Sequence, residues 1–88
     1  MANLFPPEGA GFVCDLKCNE EHLRLFSAMN SSNGGWTASL FDVNAKTWLS
    51  KDQWANDAED GKHKAEEVAK LRLKIADFRF NWEKTPGL

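Results

Sequence analysis

The segment WTASLFDVNAKTWLSKDQW, residues 36–54, carries three of the four tryptophans of this 88-residue chain and decides its fold. Apolar side chains alternate along its first half, with Trp36 on one side of the chain and Phe41 on the other. Such alternation is typical of a β-strand. Turn residues around Asn44 precede a second extended stretch, so the sequence predicts a β-hairpin over 36–53. Both faces of this hairpin are apolar, and a helix that covers one face leaves aromatic surface on the other.

The clearest helical pattern follows the hairpin. Apolar residues recur at spacings of three and four in two adjacent stripes, one of Ala65, Val68, Leu71, Ile75, Phe78 and Trp82, the other of Ala69, Leu73, Ala76 and Phe80. The spacing predicts a long amphipathic C-terminal helix over about 61–82, with Asp57 and Asp60 as candidate N-caps and a stop at Thr85-Pro86-Gly87. Two stripes are more than one small sheet needs. We expect one to face the core and the other a partner or the N-terminal arm.

A half-buried strand is predicted near 12–18, upstream of the hairpin. One side of it is apolar and consists of Phe12, Cys14, Leu16 and Cys18. Residues four apart in a strand lie about 13 Å from one another, which is too far for a disulfide bond. We therefore expect both cysteines to be free thiols that pack as small apolar side chains.

Two interpretations remain open for residues 20–29. His22, Leu25, Phe26 and Met29 have helical spacing, and Asn19 is a candidate N-cap, so a short helix at 20–29 is favoured. The stretch from His22 to Phe26 also alternates, which is typical of a strand in a meander. The choice decides whether the sheet has three strands or four.

These elements predict a single α+β domain over 11–88, in which a small antiparallel sheet packs against the long helix. Residues 1–10 contain Pro6-Pro7 and Gly9 and are predicted to be an extended N-terminal arm. The chain has no apolar run close to the roughly 20 residues that span a bilayer. Its first residues lack the basic and apolar regions of a signal peptide. We expect a cytoplasmic protein (in the host cytoplasm if it is phage-encoded) with no membrane partner.

No catalytic motif is recognisable. The sequence has no glycine-rich phosphate loop, no nucleophile elbow and no paired-histidine helix motif. Its two cysteines and two histidines, Cys14, Cys18, His22 and His63, are too few for a strong nucleophile or metal signature, and the strand keeps both thiols from reaching one ion. We expect a protein that is not an enzyme and that uses no cofactor or metal.

One alternative is nucleic-acid binding. Residues 36–82 are arranged as strand, turn, strand and long helix, and the helix opens with Lys62, His63 and Lys64. This order resembles the second half of a double-stranded-RNA-binding domain, in which a hairpin precedes a final helix with a lysine-rich N-terminus. The resemblance implies contacts between these three residues and phosphates. The formal net charge of −2 disfavours binding that depends on bulk charge.

The favoured hypothesis is a non-catalytic protein-binding module that blocks a surface of a larger partner, in the style of phage-encoded inhibitors of host machinery and anti-CRISPR proteins. Its expected anchors are the large aromatic side chains Trp36, Trp48, Trp54 and Phe80. Trp36 and Trp54 are predicted to be partly exposed. Trp48 has a second interpretation, in which it packs with Trp82, Phe41 or Phe78 in the hairpin–helix core. A homo-oligomer is also possible, through the open sheet face or a strand edge.

Overall fold

The computed structural model describes residues 11–29, 35–75 and 78–84, and the predicted arm at 1–10 and the stop at 85–87 lie outside these ranges. The described residues form the predicted α+β domain, in which an antiparallel sheet packs against one helix. The sheet has five strands rather than the three or four predicted. The strand order is β4-β3-β2-β1-β5. The elements are β1 (Gly11–Cys18), β2 (Glu21–Met29), β3 (Trp36–Asp42), β4 (Thr47–Ala55), α1 (Ala58–Leu73) and β5 (Glu83–Lys84).

The short helix predicted at 20–29 is wrong, because this segment is strand β2, the alternative that the pattern left open. Asn19 and Glu20 have φ of 51° and 68°, so they form a two-residue turn between β1 and β2 rather than a helix cap. β2 then pairs with β1 on one side and β3 on the other. Pairing on both sides satisfies the backbone of β2 and buries Leu23 and Leu25, which outweighs the local helical signal.

The hairpin predicted over 36–53 and the strand near 12–18 are confirmed as β3–β4 and β1. The hairpin turn includes Asn44, and Lys46 within it has a φ of 56°. Two register shifts interrupt the β3–β4 pairing, between Ala38 and Leu40 and between Leu40 and Phe41. Nine residues of β4 therefore lie against seven of β3. This irregular register could not be derived from the sequence pattern.

The long helix ends nine residues earlier than predicted. Asp57 is its N-cap, and Lys74, with φ 57° and ψ 44°, closes it in a left-handed C-cap. Sixteen residues of helix span about 24 Å, which matches the length of eight- or nine-residue strands, whereas a helix over 61–82 would be about 33 Å long. Residues 83–84 instead pair with Phe12 and Val13 at the outer edge of β1.

One sheet face carries the main core. There Leu16, Leu25 and Leu40 pack against Ala65 and Ala69 of α1, and all five side chains are buried. The 78–82 segment contributes Phe80 and Trp82 to the margin of this core. No helix among the described residues is long and apolar enough to cross a membrane.

Candidate functional site

The face of the sheet that points away from α1 is called the distal face here. Directly opposed residues in antiparallel strands share a face, and α1 packs on the face of Leu16, Leu25 and Leu40. The register therefore places these residues on the distal face: Val13, Asp15, Lys17, His22, Arg24, Phe26, Ala28, Thr37, Ser39, Phe41, Trp48, Trp54 and Glu83. Among the described elements, α1 is the only helix, and it leaves this face uncovered.

An aromatic cluster occupies the β4 side of the distal face. The ring of Trp48 meets Phe41 edge-on at a centroid distance of 4.9 Å and lies 5.7 Å from Phe26. The ammonium group of Lys51 lies 5.5 Å from the centre of the Trp48 ring, within cation–π range. Trp48 does contact Phe41, as one prediction stated, but on the opposite side of the sheet from the hairpin–helix core.

The edge strand β4 carries three of the four exposed large apolar side chains of the described sheet, and the fourth is Met29 of β2. Trp54 is 58% exposed, Trp48 37% and Leu49 36%. Trp48 and Trp54 share the distal face because their partners in β3, Phe41 and Thr37, do so. They are six positions apart along the strand, so their backbones lie at most about 20 Å from each other.

The other predicted anchors lie elsewhere. Trp36 is on the α1 side, is half-buried and stacks on Phe12 with ring centroids 6.3 Å apart. Phe80 is also half-buried and packs at the margin of the main core. The structure thus places Trp48 and Trp54 on the same face of β4, and Trp36 and Phe80 on the α1 side of the sheet.

Trp82 is likewise on the α1 side, so the predicted packing of Trp48 against Trp82 does not occur. The indole Nε1 of Trp82 donates a 2.7 Å hydrogen bond to Glu66 Oε2. This bond ties the segment after α1 to the helix, and it satisfies the indole N–H of a half-buried side chain.

A charged cluster that the sequence analysis missed lies on the distal face beside the aromatic residues. Asp15 Oδ1 accepts hydrogen bonds from His22 Nε2 at 2.9 Å and Arg24 Nε at 2.8 Å, and Arg24 Nη2 reaches Asp15 Oδ2 at 3.2 Å. Partial burial raises the pKa of the Asp15 carboxyl, but the hydrogen bonds from Arg24 and then His22 outweigh it and hold that pKa below its usual value. The strand pairing that creates this cluster depends on the 20–29 segment being a strand.

The basic residues at the start of α1 are paired with acidic neighbours. Lys62 Nζ lies 3.0 Å from Glu59 Oε2 and 4.0 Å from the centre of the Phe12 ring. Lys64 Nζ lies 2.9 Å from Asp60 Oδ2. His63 between them is exposed. These pairs lower the positive potential that the nucleic-acid hypothesis assigns to Lys62, His63 and Lys64.

The N-terminus of α1 is also occupied by its own carboxylates. Asp57 Oδ1 accepts a 2.8 Å hydrogen bond from the Asp60 backbone, and Asp60 Oδ2 accepts one of 2.9 Å from the Asn56 backbone. The Asn56 bond and then the Lys64 ammonium hold the pKa of the Asp60 carboxyl below its usual value. A phosphate at this helix end would have to compete with these carboxylates.

The two thiols lie on the α1 side of β1. Cys14 is buried and Cys18 half-buried, and neither forms a disulfide bond. Burial raises the pKa of the Cys14 thiol to about 11, which keeps it protonated at neutral pH. Within 11–29, 35–75 and 78–84, no group of three His, Cys, Asp or Glu side chains is placed to hold a metal ion.

Comparison of the chain with protein-family models, with curated proteins and with solved structures finds no match in any of the three.

Proposed function

We propose that this protein is a non-catalytic binding module that holds a protein partner against the β4 side of its distal face. The observation that carries the proposal is the exposure of Trp48 and Trp54 on one face of an edge strand, with Leu49 beside them. Tryptophan is enriched among the residues that dominate binding energy at protein interfaces. A single exposed apolar residue would need no explanation, whereas two exposed tryptophans on one face of an edge strand do.

The partner binds the side chains of β4 rather than extending the sheet. Two bulges interrupt the strand, and Asp52 within it has a φ of 56°. The backbone N–H of Asp52 donates a hydrogen bond to the Ser39 hydroxyl of the neighbouring strand. This N–H is therefore not offered to a strand of the partner. Bulges and charged residues such as Lys51 are devices by which edge strands avoid pairing with other strands. The tryptophans therefore act as anchors that enter pockets on the partner.

For the biological role we propose an inhibitor or regulator that blocks a surface of a larger protein, in the style of phage proteins directed against host machinery or CRISPR systems. A small domain with exposed tryptophans on one sheet face suits such a role, because blocking a surface needs contact area and no chemistry. The nucleic-acid alternative has weaker support, since Lys62 and Lys64 are both paired with carboxylates.

The test is a selection of binders with a matched pair of variants. A phage-displayed library of random 16-residue peptides is selected on the immobilised protein, and binders are measured against Trp54→Thr and Leu71→Ala. Threonine retains strand propensity at position 54. Leu71 is 78% exposed on α1 and controls for the loss of exposed apolar surface away from the sheet.

We expect Trp54→Thr to weaken binding at least tenfold, as for an interface hot spot, and Leu71→Ala to weaken it less than threefold. Circular dichroism verifies that both variants are folded. Binders that ignore Trp54, or a selection that yields none, would contradict the proposal. A size-exclusion shift with duplex or single-stranded oligonucleotides at about 0.1 M salt, lost in Lys62→Gln or Lys64→Gln, would support the nucleic-acid alternative instead.

A further inference from the structure

One buried side chain of β3 bonds to a bulge in β4, called the Asp52 bulge here. At this bulge Lys51 and Asp52 together lie opposite a single residue of β3, Ser39. Asp52 has a φ of 56°, in the left-handed region, which aspartate adopts more readily than most residues but less readily than extended backbone. Its backbone N–H donates a 2.9 Å hydrogen bond to Ser39 Oγ, and Ser39 is buried. This bond offsets the cost of the unusual backbone conformation and keeps the extra residue in the strand.

Trp54 reaches the distal face because of the Asp52 bulge. Side chains alternate along a strand, and Ser50 lies opposite Leu40 on the α1 side. Four residues further along, an uninterrupted strand would return to the α1 side. The extra residue reverses the alternation, so Trp54 lies opposite Thr37 on the distal face and Ala55 is buried on the α1 side. Bulges at the edges of sheets often re-aim a side chain in this way.

We propose that Ser39 is a positioning residue of the binding site, whose hydroxyl holds the Asp52 bulge and thereby fixes Trp54 in the orientation that the partner receives. This inference rests on the proposed function and deepens it. Because Ser39 is buried, it acts on binding through Trp54 rather than by contact with the partner. An anchor that is fixed before binding loses less conformational entropy when the complex forms.

The Asp52 bulge also has a structural consequence that the test must separate from binding. It buries Ala55, so a loss of stability alone would not show that Ser39 serves the site. Ser27 provides the matched control. Its fully buried hydroxyl donates a 2.8 Å hydrogen bond to the Ala58 carbonyl on the α1 side of the sheet, away from Trp54. Ser27→Ala therefore removes a comparable bond without touching the bulge.

The test measures how tightly Trp54-dependent peptides from the random library bind variants at position 39. We expect Ser39→Ala to weaken binding about three- to tenfold, as for the loss of one hydrogen bond, and Ser27→Ala to weaken it less than twofold. Threonine and valine have the same shape at position 39, but only threonine keeps a hydroxyl. Ser39→Thr should therefore bind at least threefold more tightly than Ser39→Val.

Two further measurements show whether the hydroxyl acts through the bulge and through Trp54. Adding Ser39→Ala to Trp54→Thr should cost no affinity beyond that of Trp54→Thr alone, because the side chain that Ser39 positions is already absent. Independently of any peptide, the Asp52 amide should exchange its hydrogen faster in Ser39→Ala and Ser39→Val than in the parent and Ser39→Thr, as measured by NMR.

Several results would overturn the inference. Equal affinities of the parent and Ser39→Ala for Trp54-dependent peptides, or an equal loss in Ser27→Ala, would refute the positioning role and leave the proposed function standing. Additive losses in the double variant would show that Ser39 acts independently of Trp54, and unchanged exchange at Asp52 would show that the hydroxyl does not hold the bulge. Peptides that do not depend on Trp54 would refute both proposals together.

Discussion

Replacing Gly61 with alanine tests how closely α1 packs on β2. Gly61 is buried in the first turn of the helix and faces Ser27, whose side chain is fully buried. A Cβ atom at position 61 would lie 3.2 Å from Ser27 Cβ and would overlap Ser27 Oγ. No unusual φ is involved, so the effect of the substitution is steric. In an exposed helix the same change would stabilise the protein by about 1 kcal/mol.

The expected loss in the free energy of unfolding comes from a broken Ser27 hydrogen bond and from overpacking. Its hydroxyl donates a 2.8 Å hydrogen bond to the Ala58 carbonyl, and rotation away from the new methyl group breaks that bond at a cost of about 1 kcal/mol. Overpacking a tight interior adds about 1–3 kcal/mol. After the helix-propensity gain, Gly61→Ala should lower the free energy of unfolding by about 1–3 kcal/mol. For a domain of this size each kcal/mol lowers Tm by about 4–8 °C.

The assay is urea unfolding followed by circular dichroism, on Gly61→Ala, Ser27→Ala and the double variant. In the double variant the Ser27 hydroxyl is absent, so the new methyl group at position 61 is crowded only by the Cβ atom at position 27. A small shift of the helix can relieve that contact. The double variant should therefore be more stable than the sum of the two single losses implies. A Gly61→Ala protein as stable as the parent, or a strictly additive double variant, would refute the packing of α1 on β2 described above.

Two further predictions concern groups whose pKa is shifted. Iodoacetamide should label Cys18 well before Cys14 in the native protein, since Cys14 is buried and its pKa is raised to about 11; equal labelling rates by mass spectrometry would contradict this. The pKa of Asp15 is lower in the folded protein than its value of about 3.9 in the unfolded chain. The ionised carboxylate therefore stabilises the fold fully above the unfolded pKa, and this stabilisation is lost as pH falls through the folded pKa. Asp15→Asn should therefore lose less stability than the parent between pH 5 and pH 2 in urea titrations, and an unchanged slope would argue against the Arg24 contact.

The sequence predicted the elements whose signals are local and consistent. The alternation around Trp36 and Phe41, with turn residues near Asn44, led to the correct hairpin, and Asp57 was among the predicted caps of α1. The 20–29 segment was misassigned because Asn19 suits both a helix cap and a turn with positive φ. Only the pairing of β2 with strands on both sides resolves that ambiguity, and this pairing is a tertiary effect.

The end of α1 and the charged part of the site were beyond sequence reasoning for a related reason. The apolar spacing continues to Trp82, but the helix stops at Leu73, where its length matches that of the strands. The exposure of Trp54 was predicted, whereas the cluster of Asp15 with Arg24 and His22 was not. That cluster depends on the register that brings Asp15 opposite Arg24, and a slip of one residue would move every side chain to the other face.

The most direct test of the central claim is the dissociation constant of the strongest selected peptide for the parent protein and for Trp54→Thr, measured by calorimetry at 0.15 M salt. The account predicts a loss of at least tenfold for Trp54→Thr, with the affinity of Leu71→Ala within threefold of the parent. Equal affinities for the parent and Trp54→Thr, with both proteins folded, would show that the β4 side of the distal face is not where the partner binds.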